Sequence, residues 1–336
     1  MGVAIGSILV KKPIVIDDLR GKVLVVDAFN ILYQFLTTIR MQDGTPLKDD
    51  KGRVTSHLVG LFARTTNLME RGVRLAFVFD GKKPVLKARE VERRHIAKEE
   101  ASAKYAAALE ARDVGAMRKF AARTVTLTPE MVQESKELLL ALGLPVIQAP
   151  SEAEAQAARY VKEGTAYAVA SQDADCLLFG APRMVRNLSI SGRRKRPGTP
   201  LYVTIEPEIV ELEENLRSLR ITQEQLIALC MLVGTDFNPG GVKGIGPKKA
   251  LKLVQEHKDL AALFETVRWS ECSLVPWQDI WEVLTTMPTR PIEPLNWRGV
   301  RRTEVEKLLI SRGFSRERLA VLDKLKCRQQ GLGEFA

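Results

Sequence analysis

The chain has 336 residues, 45% of them hydrophobic, which is enough to bury a sizeable core as one large domain or two modest ones and excludes a disordered chain. Lys plus Arg at 51 against Asp plus Glu at 41 leave a formal charge of +10, which favours an anionic partner, nucleic acid ahead of a membrane surface. Cys176, Cys230, Cys272 and Cys327 show no CxxC spacing and lie far in sequence from His57, His95 and His257, so reduced thiols, an intracellular protein and no zinc site are expected.

At the start, the apolar run Gly2 to Val10 is short and is followed by lysines, unlike a signal peptide, and Gly6 stands where myristoylation needs Ser or Thr. No stretch is long and apolar enough to span a bilayer. The first strong element is Val23-Leu-Val-Val-Asp27, an unbroken apolar run that stops on an acid. Leu75-Ala-Phe-Val-Phe-Asp80 and Tyr167-Ala-Val-Ala-Ser-Gln-Asp173-Ala-Asp175 repeat the pattern. Such runs predict strands of a parallel sheet covered on both faces, and ligands of open α/β sheets sit at the carboxyl ends of the strands. An Asp at a single strand end is ordinary turn chemistry, whereas three runs would gather four carboxylates over one sheet edge.

Between the first two strands, Ala28 to Leu36 carries apolar residues at helical spacing, a polar turn follows from Asp43 to Gly52, and a helix from Thr55 onward leads back to the sheet. From Lys82 to Arg123 the chain is rich in Lys, Arg, Glu and Ala. Lys87, Arg94 and Lys98 fall near one helical face, flanked by Lys83 and Arg93. This stretch reads either as a solvated helical excursion laced by i,i+4 ion pairs or as a basic helix pair gripping a phosphate backbone beside Asp80.

Thr128-Pro129-Glu130 predicts a capped helix that Gly143 closes. The next helix opens at Pro150-Ser151-Glu152-Ala153-Glu154, where Ser151 with Glu154 spells a capping box and leaves Glu152 beyond what capping needs. Arg193 to Gly198 reads as a basic surface loop. Leu226 to Gly234 is an apolar helix with Asp236 just beyond, and Lys243-Gly244-Ile-Gly246-Pro247-Lys248-Lys249 follows it. That sequence is neither a P-loop nor a dinucleotide fingerprint, but a tight hairpin whose bare N–H groups and helix N-terminus can hold a phosphate without reading a base.

In this order the segments resemble the flap endonucleases of the structure-specific 5′-nuclease superfamily, the shorter archaeal members above all. The carrying residues are Val25-Val-Asp27-Ala, Val54-Thr-Ser-His57-Leu with Arg64-Thr, Val78-Phe-Asp80-Gly-Lys, Ala149-Pro-Ser-Glu-Ala-Glu154-Ala, Ser171-Gln-Asp173-Ala-Asp175, and Gly234-Thr-Asp236-Phe-Asn through Gly244-Ile-Gly246-Pro-Lys. The resemblance implies an α/β fold: a central, mostly parallel sheet sandwiched by helices, a helical arch and a helix–two-turn–helix element. It divides the chain into an N-terminal nuclease region (1–98), the arch (82–125), an internal nuclease region (126–258) holding the helix–two-turn–helix (about 226–257), C-terminal helices packing on the core (259–328) and a tail (329–336).

By the same resemblance, Asp27, Asp80, Glu152, Glu154, Asp173, Asp175 and Asp236 are metal-site acids for two Mg²⁺, with Mn²⁺ as a substitute. Lys87 and Arg94 match the arch pair that holds the scissile phosphate, and Tyr33 matches an aromatic on which a base stacks. Lys243, Gly244, Gly246, Lys248 and Lys249 match the hairpin that binds duplex phosphates, where the family also places K⁺. The tail residues Gln329, Leu332 and Phe335 resemble the box that docks on the sliding clamp (PCNA), with Ala336 where a second aromatic is usual. The implied activity is cleavage of DNA carrying a 5′ flap, with 5′–3′ exonuclease action, in Okazaki-fragment maturation and repair, by a monomer without membrane association. Two rivals are a sister 5′-exonuclease or bubble-cutting nuclease, against which the compact length argues, and a non-catalytic DNA-binding relative, which would have lost acids that this chain keeps.

Overall fold

A computed structural model describes residues 3–188, 192–195 and 202–325. In chain order its strands are β1 (Lys12–Pro13), β2 (Val23–Asp27), β3 (Arg74–Phe79), β4 (Val146–Gln148), β5 (Ala168–Ala170), β6 (Arg183–Arg186), β7 (Gly192–Lys195), β8 (Tyr202–Ile205) and β9 (Glu208–Glu211). The longer helices before the hairpin are α1 (Ala28–Thr38), α2 (Ser56–Glu70), α3 (Ala88–Glu110), α4 (Val114–Ala121), α5 (Pro129–Ala141), α6 (Ala153–Lys162), α7 (Asp175–Leu178), α8 (Leu212–Leu219) and α9 (Gln223–Val233). After it come α10 (Pro247–Glu256), α11 (Leu260–Thr266), α12 (Trp269–Cys272), α13 (Trp277–Thr285) and α14 (Arg302–Ile310).

Among the described residues the main sheet runs β1-β9-β6-β5-β2-β3-β4, with β7 and β8 pairing apart from it. Strands β6, β5, β2, β3 and β4 are mutually parallel, and β9 is antiparallel to both β6 and β1. Side chains alternate between the faces of a strand, and both faces here are covered. Leu24 and Val26 of β2, with Leu75, Phe77 and Phe79 of β3, enter the core under α1, α2, α5 and α14. Val25 and Val78 enter the opposite core, which α6, α9, α10, α11 and α13 close. Burial on both faces is why these strands read as continuous apolar runs.

The third run is shorter as a strand than its sequence suggests. Strand β5 ends at Ala170, and Ser171 and Gln172 carry the chain over the sheet edge before Asp173. Asp173 is thus delivered by a turn, in which the Ser171 Oγ accepts the Asp173 amide at 3.2 Å.

The expected capping box at Ser151 and Glu154 does not form. Helix α6 has Glu152 at its N-cap without a side-chain cap bond, and the Ser151 hydroxyl donates instead to the Lys82 carbonyl at 3.1 Å. Two chain segments explain this: Gly81 N–H donates to the Ser151 carbonyl at 2.7 Å and Lys82 N–H to the Pro150 carbonyl at 3.0 Å, which draws Ser151 away from the helix. A Cβ on Gly81 would lie 2.2 Å from the Ala149 carbonyl oxygen, so only glycine permits this approach.

The basic stretch forms α3 and α4 packed on one another, joined to the body where Arg118 Nε donates to the Gln42 carbonyl. At the far end, Thr128 caps α5 with Pro129 in its first turn, and Gly143 closes it with φ +78°. A Cβ there would fall 2.0 Å from the Arg298 carbonyl oxygen, because the C-terminal segment crosses directly over it and Arg298 N–H donates to the Gly143 carbonyl at 2.8 Å. Trp297 Nε1 donates to the Leu75 carbonyl of β3 at 2.9 Å while the Arg74 guanidinium lies 3.9 Å from its ring centre. Phe314 packs edge-on to Phe62.

Candidate active site

Parallel strands deliver the acids to one sheet edge. Asp27 ends β2 and caps α1, accepting the Asn30 amide at 3.0 Å. One residue past β3, Asp80 accepts the Ala153 amide at 2.7 Å and so supplies the N-terminal bond that α6 lacks from its own side chains. Oxygens of Asp80, Glu152 and Glu154 lie within 4.8 Å of one another. Asn30 joins the next pair: its Nδ2 donates to Asp173 at 3.0 Å and its Oδ1 accepts the Gln172 amide at 3.2 Å. Asp175 is held by the Val3 amide at 2.8 Å.

Asp236 arrives from the end of α9, which shares a core with α6 and α7. Helix α9 stops at Gly234, with φ +114°, and a knot of buried bonds orders the turn: Asn238 Oδ1 accepts from Thr235 N–H at 3.1 Å and Thr235 Oγ1 at 2.6 Å, and its Nδ2 donates to the Met231 carbonyl at 2.6 Å. Glu152, Glu154, Asp175, Asp236 and Lys87 line one cleft.

The electrostatics are those of crowded carboxylates. Burial and the charge of Asp80 push Asp27 up to about 7, against the Asn30 amide. Burial and Glu152 raise Asp80 to about 6, and burial and Asp173 raise Asp175 to about 7. Burial also raises Glu154, reinforced by Asp27 and Asp80. Asp236 goes the other way: burial alone would raise it, but Lys87 and Arg94 hold it below the ordinary range.

Lys87 Nζ stands 2.5 Å from Glu152 and 3.2 Å from Asp236. Burial would lower its pKa, and the charges of those two acids lift it instead, so the ammonium persists. Arg94 places Nη2 2.8 Å from each Asp236 oxygen. Tyr33 is exposed on α1, close enough for Arg94 and Asp80 to act on its hydroxyl electrostatically. Lys98 turns away to Thr126.

Lys243, on the turn that leads from the Asp236 loop into α10, and Lys248 and Lys249, in the first turn of α10, are exposed and lie outside the acid cluster. Gly244 takes φ +79°, and Gly246 caps α10, with no atom within 4 Å of a Cβ built on either. Gln329, Leu332 and Phe335 lie outside the described residues. Asn30 and Glu90, a buried acid on the arch, escaped sequence reasoning. Asn30 carried one signal, its place three residues after a capping Asp.

The donor set fits hard divalent cations. It is all oxygen, drawn from Asp and Glu, and the mutual repulsion of its ionised forms is relieved by positive charge, which Lys87 and Arg94 supply in part.

The XPG N-terminal domain family matches residues 4–101 and the XPG I-region residues 143–236. Flap endonuclease 1 of Pyrococcus abyssi is 49% identical over 328 residues, covering 97% of this chain and 94% of that protein. Its counterpart in Staphylothermus marinus is 48% identical over 324 residues, covering 94% and 92%. Among solved structures, flap endonuclease-1 from Methanococcus jannaschii superposes with a TM-score of 0.75 at 36% identity, over 96% of this chain and 98% of that one. The catalytic core of Rad2 in complex with DNA substrate shares the fold, with a TM-score of 0.68 at 24% identity over 96% and 97%. With 48–49% identity over nearly the full length of both chains, this chain belongs to the flap endonuclease 1 family of metal-dependent nucleases.

Proposed function

We propose that this chain is a structure-specific 5′ flap endonuclease that hydrolyses phosphodiesters at flap–duplex junctions with two Mg²⁺ ions, replaceable by Mn²⁺. The observation that carries this reading is the meeting of Asp80, Glu152 and Glu154 with the arch cations Lys87 and Arg94 over one sheet edge. Asp27, Asp80, Glu152, Glu154, Asp173, Asp175 and Asp236 would hold the ions between them. Bound there, the pair would generate hydroxide at neutral pH and offset charge on both the attacking and leaving oxygens of an in-line displacement.

The protein's own groups do the rest. Lys87 stays protonated and exchanges its carboxylate partners for a phosphate oxygen, and Arg94 offers the planar fork suited to the same phosphate. Tyr33 stacks a base at the cleft rim without reading it. On the hairpin, the backbone amides of Gly244 and Gly246 with Lys243, Lys248 and Lys249 hold duplex phosphates, with K⁺ as a further counter-charge. Specificity therefore comes from the shape of the junction. The acids all being present weighs against a binding-only role.

Cleavage of 5′-flap, nicked, bubble and plain duplex DNA side by side tests the reading. The expected result is cutting at the flap junction well ahead of the others; preferred cutting of bubbles or plain ends would replace it with a sister activity. Docking of residues 329–336 on a sliding clamp is tested by titrating the clamp with the full chain and with a chain ending at Arg328. Weaker binding by the shorter chain is expected, and equal affinity would rule the tail out.

A further inference from the structure

Helix α3 exposes nearly all its polar residues; the buried ones are Glu90, Ala101 and Ala108. A carboxylate at 1% exposure on such a helix needs a reason. Its place in the first turn suits the helix dipole, but an exposed acid would serve that equally well. What the burial does provide is a set of fixed bonds. Arg93 donates to Glu90 from Nε at 2.7 Å and from Nη2 at 2.9 Å, and Arg94 donates from Nε at 2.6 Å. The same Arg94 guanidinium reaches both Asp236 oxygens with Nη2. One nitrogen of its plane is thus anchored within the arch while another reaches into the acid cluster.

We propose that Glu90 is a positioning residue for the nuclease reaction, its carboxylate clamping Arg94 Nε so that the guanidinium fork is aimed at the site of the scissile phosphate before substrate arrives. This rests on the reading that Arg94 contacts that phosphate. Glu90 also absorbs Arg93, whose bidentate pairing leaves Arg94 as the arginine directed at the acids. Without Glu90, Arg94 keeps its charge and loses its bearing, and two neighbouring guanidiniums repel with nothing between them. A guanidinium pre-aimed by a fixed partner loses less side-chain freedom when it takes up a phosphate. The consequence falls on the chemical step and spares duplex affinity, which resides elsewhere.

The test is a double-mutant cycle in single-turnover cleavage of a 5′-flap DNA, using full-length protein with Glu90→Gln, Arg94→Ala and both together. Flap binding is measured by anisotropy in Ca²⁺. Glu90→Gln is expected to slow cutting about ten- to a hundredfold, to leave the flap Kd within about twofold, and to add nothing further once Arg94 is alanine. Glu90→Asp, which keeps the charge on a shorter arm, should lose rate at the same step. Multiplied losses in the double variant would overturn the proposal, as would a rate loss in Glu90→Gln and Glu90→Asp that merely tracks lost flap affinity. A wild-type rate for Arg94→Ala alone would instead overturn the role given to Arg94.

Discussion

Asp80 accepts the backbone amide of Ala153 at 2.7 Å across 73 residues of sequence. The carboxylate that follows one strand is therefore also the cap of the helix that carries Glu152 and Glu154, and the three acids share one corner. Asp80→Asn still offers an oxygen to that amide but removes a half-buried charge. Asp80→Asn is expected to raise the Tm in chelator at pH 8 by about 2 °C or more, while lowering cleavage by roughly three powers of ten, about 4 kcal/mol of barrier. Thermal scans and single-turnover rates on the same preparation check both halves, and unchanged cleavage would remove Asp80 from the metal site.

The raised acids set a pH dependence. Asp27 and Asp175 titrate near 7 and Asp80 near 6 in the folded chain, against an ordinary value of 3.8. The folded state thus binds these protons more tightly than the unfolded one, so their stabilising contribution is whole below about pH 4 and is lost as pH rises through 6 to 7. Asp236, held low, runs in the opposite sense. Divalent cations act on the ionised cluster, so saturating Mg²⁺ should raise the Tm more at pH 8 than at pH 5.5. An equal rise at both would contradict the cluster as the binding site.

Duplex grip and strand positioning should separate. Lys248→Ala with Lys249→Ala is expected to flatten the slope of log K against log salt by up to about 1.8, at ~0.9 per phosphate contact, while leaving the rate at saturating enzyme near wild type. Lys87→Ala should do the reverse. Parallel loss of affinity and rate in both sets would dissolve the division.

Tyr33 offers a ring and not a hydroxyl. Tyr33→Phe should cut at near wild-type rate, and Tyr33→Ala should lose about 1–3 kcal/mol of flap binding or positioning, read as a change in Kd or in single-turnover rate. Equal behaviour of the two variants would end the stacking role.

Much of the fold was legible because both sheet faces are buried: Val23 to Asp27 and Leu75 to Phe79 could not alternate with polar residues and stood out as runs. Local grammar also worked at Thr128, Gly143 and Gly234, where a cap or a positive φ is decided by neighbours in the chain. It failed at Ser151, whose partner, the Lys82 carbonyl, lies 69 residues earlier in the loop after β3. Asn30 between Asp27 and Asp173, and Glu90 beneath Arg94, are ordinary polar residues in sequence and gain meaning only from what tertiary structure sets beside them.

Trp297 gives the molecule a timetable. Strand β4 begins opposite Phe77, so the Leu75 carbonyl on that side of β3 extends past the end of its neighbour, and the indole 222 residues later takes it. At ~5–20 residues per second the ribosome needs roughly ten to forty seconds to supply that indole after Leu75 emerges. The strand that leads to Asp80 is therefore incomplete at one edge while most of the chain is being made, and Arg298 crossing over Gly143 comes from the same late segment. The segment holding Trp297 and Arg298 acts as a late latch, and the strand leading to Asp80 gains its last edge partner only after that segment has been made.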